Sequence, residues 1–208
     1  MHAGDFDLVL ISVKSYDTTE AIRGVVSLID ENTLVCSYQN GLGNAEQIAD
    51  VIGWERVLGA RVIFGAWLPE PGCTEVTVIA NPTAIGGYDP GPPAARVQQI
   101  ASAMNDAGIP TIFTDRMASL MWGKIAYNSA LNPLSGLLDV PYGVLSETEH
   151  TVEIMRGVIT EMYAVADALK IPLEPPTPSE YMELLINKLM PPTATHYASL
   201  REDFRLKR

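Results

Sequence analysis

The chain has 208 residues, which is enough for one large domain or two small ones. Hydrophobic residues make up 47% of it and charged residues 19%, a composition that is typical of a folded globular protein and excludes a disordered chain. Because the net charge is −11, the surface repels nucleic-acid phosphates and anionic membranes, and we expect neither as a partner.

Cysteine, histidine and hydropathy patterns narrow the class of protein further. The two cysteines and three histidines show neither a pairing pattern nor metal-ligand spacing, so we predict no metal site. No apolar stretch approaches the ~20 residues that a membrane span needs. No signal segment, with charged residues before an apolar run, opens the chain. We therefore expect a cytoplasmic protein in a reducing compartment.

The first half of the chain alternates strand and helix patterns. The run at 7–13 is nearly continuously apolar, as in a parallel strand that is covered on both faces. Strands are predicted at 7–13, 33–38, 56–67, 74–80, 83–88 and 111–114, and helices at 17–29, 44–52 and 94–107. This order predicts an α/β fold with a mostly parallel, partial Rossmann-like sheet and antiparallel additions near residues 60–88.

The second half is predicted to be all-α, with helices at 115–132, 146–169, 177–189 and 196–204. We place the domain boundary near Thr114, which gives a partial dinucleotide-binding domain at 1–114 and a helical domain at 115–208. Three helices begin with capping-box spacing, at Asp17 and Glu20, Ser146 and Glu149, and Thr177 and Glu180. The helix at 115–132 is expected to bend or end at Pro133.

The most specific local pattern is the spacing of Lys124, Asn128 and Asn132. At about 100° per residue these side chains drift only about 40° per step, so they line one helix face together with apolar neighbours. A lysine there can donate a proton to a developing alkoxide, and the two carboxamides can hold a substrate. The same spacing also fits a structural role, in which the asparagines join the helix to its neighbours and the lysine extends to water.

Two further segments follow predicted strands directly, where an open α/β sheet presents its ligand-binding loops. The first runs from Tyr38 to Asn44 and contains Asn40, Gly41 and Gly43, whose glycines permit close backbone approach. An Asn-Gly pair is also common in simple turns. The second contains Lys14, which could reach a phosphate or be merely exposed.

Taken in order, these motifs resemble the ketopantoate reductase (2-dehydropantoate 2-reductase) family. The motifs are Val-Lys-Ser at 13–15, Gln-Asn-Gly-Leu-Gly at 39–43, Trp-Gly-Lys at 122–124 followed by Asn128 and Asn132, and Ser-Leu-Arg-Glu-Asp-Phe-Arg at 199–205. The resemblance implies a Rossmann-like domain followed by a helical domain. The family reduces 2-dehydropantoate to pantoate with NADPH, on the route to pantothenate and coenzyme A.

The resemblance also implies roles for single residues. Lys124 would be the general acid, and Asn128, Asn132 and Ser199 would bind the 2-oxo acid. Lys14, Asn40 and Gly41 would bind NADP, with Lys14 near its adenosine side. The family's N-terminal Gly-rich turn does not occur in this sequence, and neither does the Thr-Glu-Ile-Asp segment that the family would have soon after Arg208. We therefore expect a chain truncated at both ends relative to the family.

The sequence leaves three functions open: a reductase of 2-dehydropantoate, a related reductase of another 2-oxo acid, and a non-catalytic fragment that self-associates. In the Rossmann strand order the strand at 7–13 would be the fourth, and the first strand would be its missing neighbour. An apolar strand with an open edge pairs readily with other chains. We therefore expect a homo-oligomer, formed through this strand edge or through the helical domain.

Overall fold

The computed structural model describes residues 6–79, 81–198, 200, 201 and 204. The chain divides into two compact units, Met1–Met121 and Trp122–Arg208, where the sequence predicted a boundary near Thr114. The first unit is α/β and the second is helical, as the sequence predicted.

Within the described residues, the first unit contains a five-stranded sheet and a separate two-stranded hairpin. The strands are β1 (Leu8–Ile11), β2 (Leu34–Ser37), β3 (Val57–Arg61), β4 (Phe64–Glu70), β5 (Cys73–Ile79), β6 (Thr83–Gly86) and β7 (Thr111–Phe113). The large sheet has the order β1-β2-β3-β6-β7, in which only the β3–β6 pairing is antiparallel. The hairpin pairs β4 with β5 in antiparallel fashion, so the expected antiparallel additions near residues 60–88 are confirmed.

Two hydrophobic clusters lie on opposite faces of the large sheet, because successive side chains of a strand point to opposite faces. One cluster contains Val35 and Val57 with the helices α1 (Thr18–Val25) and α2 (Asn44–Ile52). The other contains Cys36, Leu58 and the helix α3 (Ala94–Asp106). Each fully buried aliphatic side chain in such a cluster contributes about 1.5–3 kcal/mol to stability relative to an exposed one. The strands β2 and β3, whose residues are almost all buried, are thus covered on both sides, whereas β1 is covered only in part.

The helical unit is built from α4 (Met117–Leu138), whose first residues lie in the first unit, α5 (Glu149–Ala168) and α6 (Pro178–Leu184). The sequence predicted a bend or an end of the helix at Pro133, and the end is wrong, because α4 continues through this proline to Leu138. Proline removes one backbone donor, but packing anchors the turn that follows: the buried Ser135 hydroxyl donates to the Val140 carbonyl oxygen (2.7 Å) and accepts from the Ala198 N–H (3.2 Å).

The N-termini of three helices test the capping boxes that the sequence predicted. The capping box at Thr177 is confirmed, because its hydroxyl accepts from the Glu180 N–H and the Glu180 carboxylate accepts from the Thr177 N–H. The box at Asp17 is wrong, since its side chain makes no capping hydrogen bond. The box at Ser146 is also wrong, because α5 begins later and Thr148 caps it.

Other helix bounds shift by a few residues. After α1 the chain continues as a short 3-10 turn, and after α6 as a π-helical turn over Leu185–Leu189. The predicted last helix falls partly outside the described residues; within it residues 196–198 are not helical, whereas Leu200, Arg201 and Phe204 are helical. None of the helices in the described part of the chain combines the length and apolarity that a membrane crossing requires.

Candidate functional site

The first group of candidate residues lies where β1 and β2 end. These strands are parallel, so the loops that follow them emerge at the same edge of the sheet. Lys14 is exposed at the start of a short 3-10 turn, and the next residue, Ser15, donates its hydroxyl to the Asn40 carbonyl oxygen (3.3 Å). The Asn44 carboxamide donates to the same oxygen (3.0 Å). The structure thus brings the loop of Lys14 against the loop of Asn40 and Gly41.

A buried polar network fixes these two loops. The Gln39 carboxamide donates to the Val13 carbonyl oxygen (2.9 Å) and to the Thr18 hydroxyl (2.7 Å), and it accepts from the Ser37 hydroxyl (3.1 Å). Gln39 and Thr18 are both buried, so each needs these partners to offset the loss of water. The sequence analysis did not predict this network. The signal that could have indicated it is the position of two polar residues, Gln39 and Thr18, close to apolar strands.

Glycines leave the Asn40 loop open to a ligand. Gly41 has φ +98° and Gly43 φ +86°, a region that side chains rarely adopt. A Cβ at Gly43 would have no atom within 4 Å, and one at Gly41 would have only polar side-chain atoms, at 3.7 Å or more. The backbone before the N-terminus of α2 can therefore be approached closely, which suits the phosphate or sugar groups of a dinucleotide.

The second group of candidate residues lies on α4. Lys124, Asn128 and Asn132 are all half-buried and occupy one helix face, and nearby Met121 and Leu131 are buried. The Asn132 carboxamide oxygen accepts a hydrogen bond from the Tyr142 hydroxyl at 2.6 Å. This surface combines a cation with amide groups in partly dry surroundings, which can polarise and hold an oxygen-rich small molecule.

Ser199 lies outside the described residues. Gly123, which precedes Lys124, gives its carbonyl oxygen to the Tyr181 hydroxyl (2.8 Å), so a buried tyrosine anchors this turn of α4. The two groups of candidates belong to different units, and the contacts above hold within each unit.

Arg61 is a further residue that the sequence prediction did not single out. It ends β3 at the sheet edge from which the Lys14 and Asn40 loops emerge, because β3 runs parallel to β2. Its Nε is buried and has no hydrogen-bond partner among the described residues, and burial lowers the pKa of the guanidinium. The sequence signal that could have indicated Arg61 is a cationic residue at the end of an apolar strand. A guanidinium in this position can bind an anion.

The architecture defines the fold class of the protein. A mostly parallel sheet presents loops at the carboxyl ends of its strands, and the helical unit that follows carries a lysine and two asparagines on one face, so the chain combines a Rossmann-like α/β unit with a helical one.

The chain belongs to the ketopantoate reductase family. Residues 1–90 match the family described as Ketopantoate reductase PanE/ApbA, and residues 116–208 match Ketopantoate reductase PanE/ApbA C terminal. The chain is 40% identical over 199 residues to 2-dehydropantoate 2-reductase of Aquifex aeolicus, covering 96% of this chain and 64% of that protein. It is 31% identical over 204 residues to the enzyme of Pyrococcus horikoshii, covering 97% and 64%.

Solved structures of this family have the same fold. The PanE/ApbA family ketopantoate reductase from Ralstonia eutropha JMP134 aligns with a TM-score of 0.81 at 27% identity, over 97% of this chain and 63% of that one. The 2-dehydropantoate 2-reductase of Geobacter metallireducens aligns with a TM-score of 0.80 at 25% identity, over 97% and 65%. The chain thus spans a little under two thirds of the length of these relatives.

Proposed function

We propose that this chain carries the NADPH-dependent reduction of 2-dehydropantoate to pantoate, a step of pantothenate and coenzyme A synthesis. The observation that carries the proposal is the half-buried row of Lys124, Asn128 and Asn132 on α4, in a chain of the ketopantoate reductase family. That synthesis is cytoplasmic, which sets the expected location of the protein.

The row on α4 supplies the protein's part in the chemistry. The Lys124 ammonium donates a proton to the oxygen of the C2 carbonyl, which becomes the hydroxyl of pantoate. Asn128 and Asn132 orient the oxo acid through amide hydrogen bonds, and Ser199 adds a further one. Bound NADPH supplies the hydride that C2 gains, so the oxo group takes up one hydride and one proton.

The residues at the sheet edge fit the cofactor. Gly41 and Gly43 leave the backbone accessible, and the Asn40 carbonyl is fixed by two hydrogen bonds. Asn40 and Gly41 would lie beside the nicotinamide end of the dinucleotide. The exposed ammonium of Lys14 would meet its adenosine side, where a 2′-phosphate distinguishes NADP from NAD.

The proposal is tested by titrating the chain with NADPH and NADH, followed through nucleotide fluorescence, and then by assaying NADPH oxidation with 2-dehydropantoate and other 2-oxo acids. Lys124→Ala should lower kcat by about 100-fold to 10,000-fold with the fold intact. Lys188→Ala is the matched control, because it removes an exposed lysine of the same unit. Turnover unchanged in Lys124→Ala would remove Lys124 from the acid role.

The outcomes separate the competing functions. Binding of NADPH with turnover of 2-dehydropantoate supports the proposal. Binding with preference for another 2-oxo acid indicates a related reductase, because family motifs determine the chemistry more tightly than the substrate's shape. Neither binding nor turnover would leave a non-catalytic, self-associating chain.

A further inference from the structure

Tyr142 contacts the α4 row without belonging to it. Its hydroxyl donates to the Asn132 Oδ1 at 2.6 Å, a short hydrogen bond for two neutral groups. Tyr142 is only 5% exposed, and it opens the short 3-10 turn Tyr142–Ser146 that follows α4. A buried phenol thus reaches back to one of the proposed substrate-binding amides.

The phenol ring is held on two sides. Tyr127 meets it edge-on, with centroids 6.0 Å apart at 83°, and His196 packs against it at 5.3 Å. The backbone is held as well, because the Tyr142 N–H donates to the His196 carbonyl oxygen and the Gly143 N–H to that of Ala194, both at 2.9 Å. A ring packed in this way cannot swing away from Asn132, so the position of its hydroxyl is set by the fold.

The direction of the hydrogen bond determines what Asn132 can offer. Burial raises the pKa of the Tyr142 phenol, so it stays protonated and remains a donor at any working pH. Because the Asn132 oxygen faces the Tyr142 hydroxyl, the amide nitrogen with its two N–H donors lies at the opposite side of the carboxamide. An amide without that partner could rotate and present either its oxygen or its nitrogen.

We propose that Tyr142 is the positioning residue for Asn132, which it holds with the N–H donors toward a carbonyl or carboxylate oxygen of the bound oxo acid. This inference rests on the proposed function, since it concerns the same substrate site. The oxygens of the oxo and carboxylate groups accept hydrogen bonds and cannot donate them, so an amide fixed as a donor matches them. A ligand hydroxyl that donates to Asn132 would have to approach the oxygen on the side turned toward Tyr142.

The test removes one hydroxyl and keeps the ring. Tyr142→Phe should lower kcat/KM for 2-dehydropantoate about tenfold, mostly through a higher KM, because the amide loses its fixed orientation. The Kd of NADPH should stay unchanged. Tyr163→Phe is the matched control: Tyr163 is also buried, and its hydroxyl donates at 2.7 Å to the Pro175 carbonyl oxygen, away from α4. Its kcat/KM should stay within about twofold of the wild-type value.

A second readout does not require activity. The Asn132 side-chain amide gives a pair of ¹H–¹⁵N signals, which are assigned by their loss in Asn132→Asp. These signals should move in Tyr142→Phe and stay in place in Tyr163→Phe.

The outcomes are distinct. Unchanged kcat/KM in Tyr142→Phe, or an equal loss in both phenylalanine variants, would overturn the positioning role. If the wild-type chain turns over no 2-oxo acid, the proposed function fails, and the amide signals decide on Tyr142 alone. Asn132 signals that ignore the loss of the Tyr142 hydroxyl would then refute the inference.

Discussion

Adding a methyl group at Gly86 tests how closely the chain before α4 packs on the sheet. A Cβ at this position would lie 2.3 Å from the Thr114 carbonyl oxygen and 3.3 Å from the Met117 Cβ. The Thr114 N–H is hydrogen-bonded to the Ile85 carbonyl oxygen at 2.9 Å, so this backbone cannot retreat without breaking a bond to β6. Overpacking costs about 1–3 kcal/mol, and a clash with pinned backbone places Gly86→Ala near the upper end, at about 3 kcal/mol.

Urea unfolding measures the loss. Gly24→Ala is the matched control, because Gly24 is exposed in α1 and a Cβ there would meet nothing within 4 Å. This control should raise the free energy of unfolding by about 0.5–1 kcal/mol, since alanine favours helix over glycine. A Gly86→Ala protein as stable as the wild type would refute the packing described between β6 and the residues that lead into α4.

Two further predictions concern thiol reactivity and association. Cys73 is exposed and Cys36 is buried, with burial raising the pKa of the Cys36 thiol to about 12. A thiol reagent at pH 8 should therefore titrate one group quickly and the second only after unfolding, and two fast groups would contradict the burial of Cys36. β1 pairs only with β2 among the described strands and exposes 44% of Leu10, so we expect the mass from light scattering to rise with concentration. Leu10→Lys should reduce that rise, whereas a monodisperse wild-type monomer at high concentration would count against association through this strand.

Local signals predicted most of the fold. The continuous apolar run of β1 predicted a parallel strand covered on both faces. The parallel pairing is confirmed, but the full cover is wrong, because Leu10 is exposed and only Ile11 of the strand is buried. Gly53 ends α2 with φ +82°, and Thr177 caps α6. These features depend on a few neighbouring residues, so one sequence was enough to find them. The helical face that carries Lys124 followed from spacing alone in the same way.

Features that depend on tertiary partners were not predictable. Pro133 was expected to bend or end α4, but the helix continues to Leu138, and beyond the proline Ser135 bonds the backbone of the distant Ala198. Ser146 had the spacing of a cap, yet its hydroxyl donates to the Gly143 carbonyl oxygen within a 3-10 turn. The pairing of Gln39 with Thr18 and the burial of the Arg61 Nε depend on which strands become neighbours. Sequence spacing carries no information about such long-range pairs.

The connection at 139–141 has a consequence for how the family could vary. Asp139 takes a left-handed conformation (φ +55°), and the chain then returns at once to the turn that begins with Tyr142. Surface loops of this kind usually accept insertions. One added residue could lengthen the chain between α4 and Tyr142 by up to about 3.6 Å. This is more than the 2.6 Å between the Tyr142 hydroxyl and the Asn132 Oδ1. The length of this loop is therefore under tighter constraint than its residue types, and insertions should be tolerated far less well than substitutions.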